Sequence, residues 1–173
     1  MRPSAKPSSG LIWPAVGLIA VAVMVSPVAM AEFSLSLMDP VAGRNVTIEP
    51  GAEALHIVFF ATWCPACLEE LETLRDVEAR WGDRGYRLVL VAVKTRHSPE
   101  RLVNFVRDDQ PPGEVLLDER GAAEKALSVS MLPEHLLFDR MGREVARSDN
   151  LEEFLPAIKK LFAGSRRGTR RGS

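Results

Sequence analysis

The chain holds two cysteines, Cys64 and Cys67, separated only by Pro65 and Ala66. On a helix, residues three apart lie about one turn apart on the same side, so the two sulfurs can meet. One thiolate can then attack a disulfide while the other resolves the mixed disulfide that forms. The pair therefore reads as a dithiol–disulfide exchange centre, Cys64–Cys67. Two cysteines are too few for a four-cysteine zinc site or a multi-bridge framework. A metal site would need further ligands, and the only histidines are His56, His97 and His135.

The flanking sequence says which elements position this pair. Leu55–Phe60, LHIVFF, is nearly all apolar, as a strand buried on both faces is. After Cys67, Leu68, Leu71, Leu74, Val77 and Trp81 recur at helical spacing and predict one inward face of a helix reaching Trp81. The pair thus stands where a central strand passes into a helix. A purely structural bridge needs no such placement. Pro65 suits the first helical position, where its missing N–H loses nothing. Cys64 is then beside unpaired backbone N–H groups, which favour its thiolate. A thiol so placed can fall from about 8.5 into a range of about 3.5–7.5.

Around this centre the chain divides into three parts. In residues 1–31, basic Arg2 and Lys6 precede the apolar stretch Leu11–Val25, and Ala29-Met30-Ala31 supplies a small-x-small cleavage pattern. This is a signal peptide or an N-terminal membrane anchor, and either one exports the domain to a compartment where disulfides persist. No cysteine follows it, as a lipidated N-terminus would require. Residues 32–163 are the expected domain. Residues 164–173, rich in Gly, Arg and Ser, read as a disordered basic tail. Without the six basic residues of the two ends, 16 basic residues face 23 acidic ones, a balance that argues against nucleic acid as partner of the domain.

Within the domain, Phe33–Leu37 alternates as a half-exposed strand, and Asn45–Ile48 can pair back on it. Gly82 and Gly85 end the helix after the cysteines, and Tyr86–Val93 is a second apolar strand. Strand, helix and strand in this order predict two parallel strands. Ser98 and Pro99 open another helix, with Leu102, Val103, Phe105 and Val106 inward. Pro111-Pro112-Gly113 stops it. Glu114–Leu117, Glu134–Phe138 and Arg143–Arg147 read as short strands, Gly121–Leu127 as a short helix and Leu151–Phe162 as the last helix.

ATWCPAC after a buried strand resembles the thioredoxin superfamily. Ser130–Glu144, SMLPEHLLFDRMGRE, is similar to the segment of TlpA/ResA-like proteins in which a proline precedes an apolar strand, an Asp and a Gly-containing turn. The Pro133-Glu134 pair looks most like the CcmG (DsbE) branch, periplasmic thiol reductases of cytochrome c maturation. The helix and strand at residues 98–117 match the insertion of these proteins, and the resemblance covers residues 33–162. It implies an α/β thioredoxin-like fold, a central mixed sheet flanked by helices, with Pro133 cis and facing the cysteines. It also implies substrate contacts from Trp63, Pro65, Leu132, Pro133 and Glu134, and no cofactor.

Two positions depart from the family. Thioredoxin keeps a buried Asp at the position of Val58, where it moves protons to and from the second cysteine, and Val58 cannot do so. Met131 and Leu132 stand where the family has Gly and a small or β-branched residue, which predicts a narrower or greasier groove. Glu134 is a candidate proton carrier in place of the missing Asp, or else a solvated loop residue. His135 is a candidate neighbour of the sulfurs. His56, His97 and the cluster Glu69, Glu70 and Glu72 read as structural or solvated.

The resemblance implies an exported thiol:disulfide reductase, periplasmic or on the outer face of the cytoplasmic membrane. Protein disulfides, apocytochrome c among them, would be its substrates and a membrane thiol carrier its electron donor. The alternatives are a disulfide-forming oxidant, because CxxC spacing does not set redox direction, and a copper-binding chaperone using the two thiols.

Overall fold

The computed structural model describes residues 33–93 and 98–168, with side chains to residue 164. The expected export segment, His97 and residues 169–173 lie outside these. Seven strands form one mixed sheet: β1 (Leu35–Asp39), β2 (Arg44–Ile48), β3 (Ala54–Phe60), β4 (Tyr86–Val93), β5 (Glu114–Asp118), β6 (Glu134–Asp139) and β7 (Glu144–Ser148). Their spatial order is β2-β1-β5-β4-β3-β6-β7.

The central position of β3 follows from its composition. All seven of its residues are buried, which only a strand covered on both faces and flanked on both edges allows. Its neighbours are β4, parallel, and β6, antiparallel. The parallel pairing is the one the strand–helix–strand order predicts. β4 and β5 also run parallel, and β1 joins the far side of β5 antiparallel.

The helix after the cysteines departs from expectation. It is two pieces, α1 (Pro65–Glu69) and α2 (Leu71–Trp81), separated at Glu70. Periodicity therefore does not carry across the break. Leu74, Val77 and Trp81 are buried as expected, but Leu68 is 38% exposed. A short 3-10 turn, Gly82–Arg84, follows, and Gly85 takes the left-handed conformation before β4.

α3 (Pro99–Asp109) begins as its sequence predicts, with the Ser98 hydroxyl accepting from the Arg101 N–H at 3.3 Å. Leu102 and Phe105 are buried and Val103 and Val106 half-buried. The chain leaves this helix through Gly113, where any side chain would meet the Leu88 carbonyl at 2.7 Å. α4 (Ala122–Ala126) is a single short turn. α5 (Leu151–Gly168) continues past Phe162 into the segment whose composition predicts a disordered tail, so that segment is helical to Gly168.

α5 packs on the sheet through Phe154, which stacks on His56 of β3 with ring centroids 4.5 Å apart. It meets α2 through Phe162, stacked on Trp81 at 4.7 Å, with the Arg84 guanidinium over the Trp81 ring. Each such aromatic burial contributes about 1.5–3 kcal/mol, so these rings fix α2 and α5 relative to β3.

Candidate active site

β3 ends at Phe60, and the turn Ala61–Trp63 brings the chain to Cys64. Cys64 has extended backbone and is the N-cap of α1, with Pro65 at the first helical position. Its sulfur accepts from the Cys67 N–H at 3.3 Å. The two cysteines are disulfide-bonded, with Cα atoms 5.3 Å apart. The placement inferred from sequence, at the junction of a buried strand and a helix, is the one observed. Because α1 has only five residues, it offers Cys64 the local N–H groups of a first turn rather than a long helix dipole.

Both sulfur-bearing residues are largely buried, Cys64 slightly less than Cys67. Trp63 stands beside them at 43% exposure. It lines two cavities. One, of about 580 Å³, is shared with Leu68, Leu71, Arg75 and Phe105. The other, of about 370 Å³, is shared with Val129, Met131 and Leu132. The structure thus brings Trp63 and Leu132 to one cavity. The Leu132–Pro133 peptide bond is cis, and Pro133 is buried at the start of β6. Pro65 is exposed on the first turn of α1.

Glu134 faces inward. One oxygen is ion-paired with Arg147 of β7 and the other accepts from the Ser130 N–H at 3.0 Å. Arg147 also bonds Glu144 and the Leu127 carbonyl. Glu134 therefore ties the loop before Pro133 to the edge of the sheet, and it is not a solvated loop residue. Burial and the pairing with Arg147 explain why it holds that loop.

His135, Glu70 and His56 differ most from their sequence reading. His135 Nε2 lies 3.0 Å from Glu70 Oε2, and its Nδ1 lies 3.1 Å from His56 Nε2. His56 Nδ1 lies 2.6 Å from the Tyr86 hydroxyl. The other oxygen of Glu70 accepts from the Leu151 N–H at the start of α5, at 3.2 Å. Glu70 is therefore no plain surface residue, although Glu69 and Glu72 are exposed. Burial, with the charge of His135 second, pushes His56 well below the ordinary histidine value. Burial likewise raises the Tyr86 phenol far above its usual range. Both groups are neutral at pH 7. The signal for this chain was present in the sequence: a histidine in each of two buried strands must find a hydrogen-bond partner.

A central mixed sheet, helices packed around it and a disulfide-bonded CxxC after the central strand define a thioredoxin-like fold. The sequence of residues 30–153 matches the Redoxin family. The chain belongs to that family. It is 28% identical over 123 residues to the thiol:disulfide interchange protein DsbE homolog of Paracoccus denitrificans, covering 66% of this chain and 64% of that protein. It is 24% identical to the thiol-disulfide oxidoreductase ResA of Bacillus thuringiensis, covering 61% and 64%. The chain thus spans just under two thirds of the length of these relatives. Among solved structures, the fold is that of StoA from Bacillus subtilis, with TM-score 0.57, 19% identity and coverage of 69% and 89%. It is also that of the exposed lipoprotein thioredoxin Etrx1 of Streptococcus pneumoniae, with TM-score 0.63, 21% identity and coverage of 74% and 99%.

Proposed function

We propose that this chain is an exported thiol:disulfide oxidoreductase that reduces disulfides in exported proteins. The observation that carries the reading is the Cys64–Cys67 disulfide at the N-cap of α1, where Cys64 Sγ already accepts a backbone N–H. In the reduced protein that N–H would stabilise a Cys64 thiolate. The thiolate attacks one sulfur of a substrate disulfide, and the substrate's other sulfur leaves as a thiolate. Cys67 then attacks Cys64, the bond to the substrate breaks, and the electron pair leaves on the substrate sulfur. The substrate gains two electrons and the protein dithiol becomes the disulfide. A membrane thiol carrier would restore the dithiol. The names of the Paracoccus and Bacillus relatives support the chemistry, and the resemblance to the CcmG branch makes apocytochrome c the first substrate to test.

The roles of Trp63, Pro65, Leu132, Pro133 and Glu134 belong to the same proposal. Trp63, the residue before Cys64, and Leu132 line a shared cavity and would contact an extended substrate segment there. Pro65 is exposed on the first turn. Glu134 would act by holding the loop before Pro133, because both of its oxygens are engaged. Residues 1–31 would carry the domain across the cytoplasmic membrane, to the periplasm or to its outer face.

A second reading, a disulfide-forming oxidant, has one observation in its favour. The N–H bond to Cys64 favours the reduced protein, and a stabilised reduced form makes a stronger oxidant. The deciding measurement is the reduction potential of the Cys64–Cys67 couple, with the redox state of the protein in cells. A reductant should lie clearly below about −180 mV and be found reduced. A value near about −120 mV, with the protein oxidised in cells, would replace the reductase reading by the oxidant one. A spectroscopic Cu(I) titration with and without Cys64 tests the copper-chaperone alternative.

A further inference from the structure

The cavity that Trp63 shares with Leu132 has a volume of about 370 Å³. That is the small end of the range of about 300–1,000 Å³ for ligand pockets, with room for a side chain or two and not for a folded element. Trp63, Val129, Met131 and Leu132 give it apolar walls. Among its lining residues, only Glu124 of α4 carries a charge. The backbone of Glu124 is held from both sides. Its N–H donates to Asp118 Oδ2 at 2.8 Å, and its carbonyl accepts from the Val129 N–H at 2.9 Å. Asp118 is itself buried at the end of β5, and its other oxygen accepts from the Ala122 N–H.

The Glu124 carboxylate is placed differently from the other inward-facing acids. Glu134 is paired with Arg147, and Asp139 with Arg143. Glu124 is half-buried, and its carboxylate has no hydrogen bond or ion pair among the described residues. Burial, with the charge of Asp118 second, raises its pKa. A cation entering the cavity would favour its charged form. The walls narrow the choice of cation. No group of three metal-ligating side chains occurs among the described residues. A lysine or arginine side chain, by contrast, joins an apolar stem to a cationic head. The stem fits against Val129, Met131 and Leu132, and the head fits Glu124. An aromatic wall at Trp63 also suits a cation, and the Ser130 hydroxyl is a further acceptor on the same lining.

We propose that Glu124 is a specificity-determining residue: it selects substrate segments with a lysine or arginine beside the disulfide cysteine, and takes that side chain into the cavity between Trp63 and Leu132. The inference rests on the thiol:disulfide exchange reading and names the kind of segment the site accepts. Trp63 directly precedes Cys64, so a substrate cysteine joined to Cys64 brings its neighbours onto Trp63 and the cavity it lines. Glu124 acts on binding of the segment and takes no part in bond exchange at sulfur. An acidic side chain in the same place meets Glu124, with Asp118 behind it, and is disfavoured.

The test uses the reduced full chain and short peptides that differ only at the residue after a single cysteine, which is lysine, glutamine or glutamate. Each cysteine is disulfide-bonded to an aromatic thiol whose release is coloured, and the second-order rate constant of release is compared between peptides. At low salt the wild type should favour the lysine peptide over the glutamate peptide by at least about fivefold, the scale of one ion pair set against one like-charge contact. Glu124→Gln should bring that ratio to within about twofold. Glu124→Lys should reverse the order. Glu152→Gln, which removes an exposed carboxylate from α5, should keep the wild-type ratio and so separates the cavity from overall charge. A wild type without preference, a ratio that survives Glu124→Gln, or one that Glu152→Gln lowers equally overturns the inference while the exchange reading stands. Should Glu124→Gln fail to fold, an unreversed order in Glu124→Lys overturns it. No release from any peptide by the wild type overturns the exchange reading and the inference with it.

Discussion

Nε2 of His135 stands 3.0 Å from Oε2 of Glu70, joining the strand that follows Pro133 to the end of the helix that Cys64 caps. The two residues are 65 positions apart, and neither lies in the CxxC segment. Through His56 the same line of hydrogen bonds passes under Phe154 of α5 and ends at Tyr86. The cysteine helix, three strands and the last helix therefore share one buried polar chain.

That chain makes stability depend on pH. Burial and the neighbouring His135 hold His56 well below the value of 6.5 that it regains on unfolding. Below that value the unfolded state binds a proton that the folded state does not. The contribution to stability is thus complete above pH 6.5 and declines as pH falls below it, by at most about 1.4 kcal/mol per pH unit. Thermal unfolding followed from pH 8 to pH 5 should show this decline, and His56→Phe should flatten it, though at a lower starting stability. Equal slopes in the two proteins would remove His56 as its source.

The two cysteines should divide their labour. Cys67→Ser should trap mixed disulfides with substrate on Cys64, and Cys64→Ser should trap none, because Cys64 is the thiol at the helix end and the less buried of the two. Non-reducing electrophoresis after acid quench reads the outcome. Trapping by Cys64→Ser instead would reverse the assignment.

Arg147 should matter more than an ordinary surface arginine. It is the ion-pair partner of buried Glu134, and it also bonds the Leu127 carbonyl. Arg147→Ala leaves Glu134 buried with only the Ser130 N–H. The expected cost is about 1–3 kcal/mol, or a Tm lower by several degrees. An exposed pair such as Arg107 with Asp108 is the comparison, since Arg107→Ala should leave the Tm close to that of the wild type. Similar Tm values for the two variants would show that Glu134 does not depend on its partner.

Export is checked directly. If residues 1–31 are a cleaved signal, N-terminal sequencing of protein recovered from the periplasm should begin at Glu32, directly after Ala29-Met30-Ala31. Full-length protein in the membrane fraction would identify the segment as an anchor.

The sequence by itself determined the order of elements and the placement of the cysteine pair between a buried strand and a helix. A short, nearly all-apolar run suits an interior strand, and Pro65 after Cys64 suits a helix start; both are local facts that neighbours in the chain decide. The same holds for Ser98 and Pro99 opening α3. Tertiary structure decided what local pattern does not encode. It decided the break at Glu70, which the heptad-like leucines conceal, and the inward turn of Glu134 towards Arg147. It also carried the last helix beyond Phe162. Above all it decided the pairing of His56 with His135 and of His135 with Glu70. A buried polar group must be satisfied, and sequence can announce that need. Which distant group meets it depends on the strand register and on where α5 docks, and these exist only once the sheet has assembled.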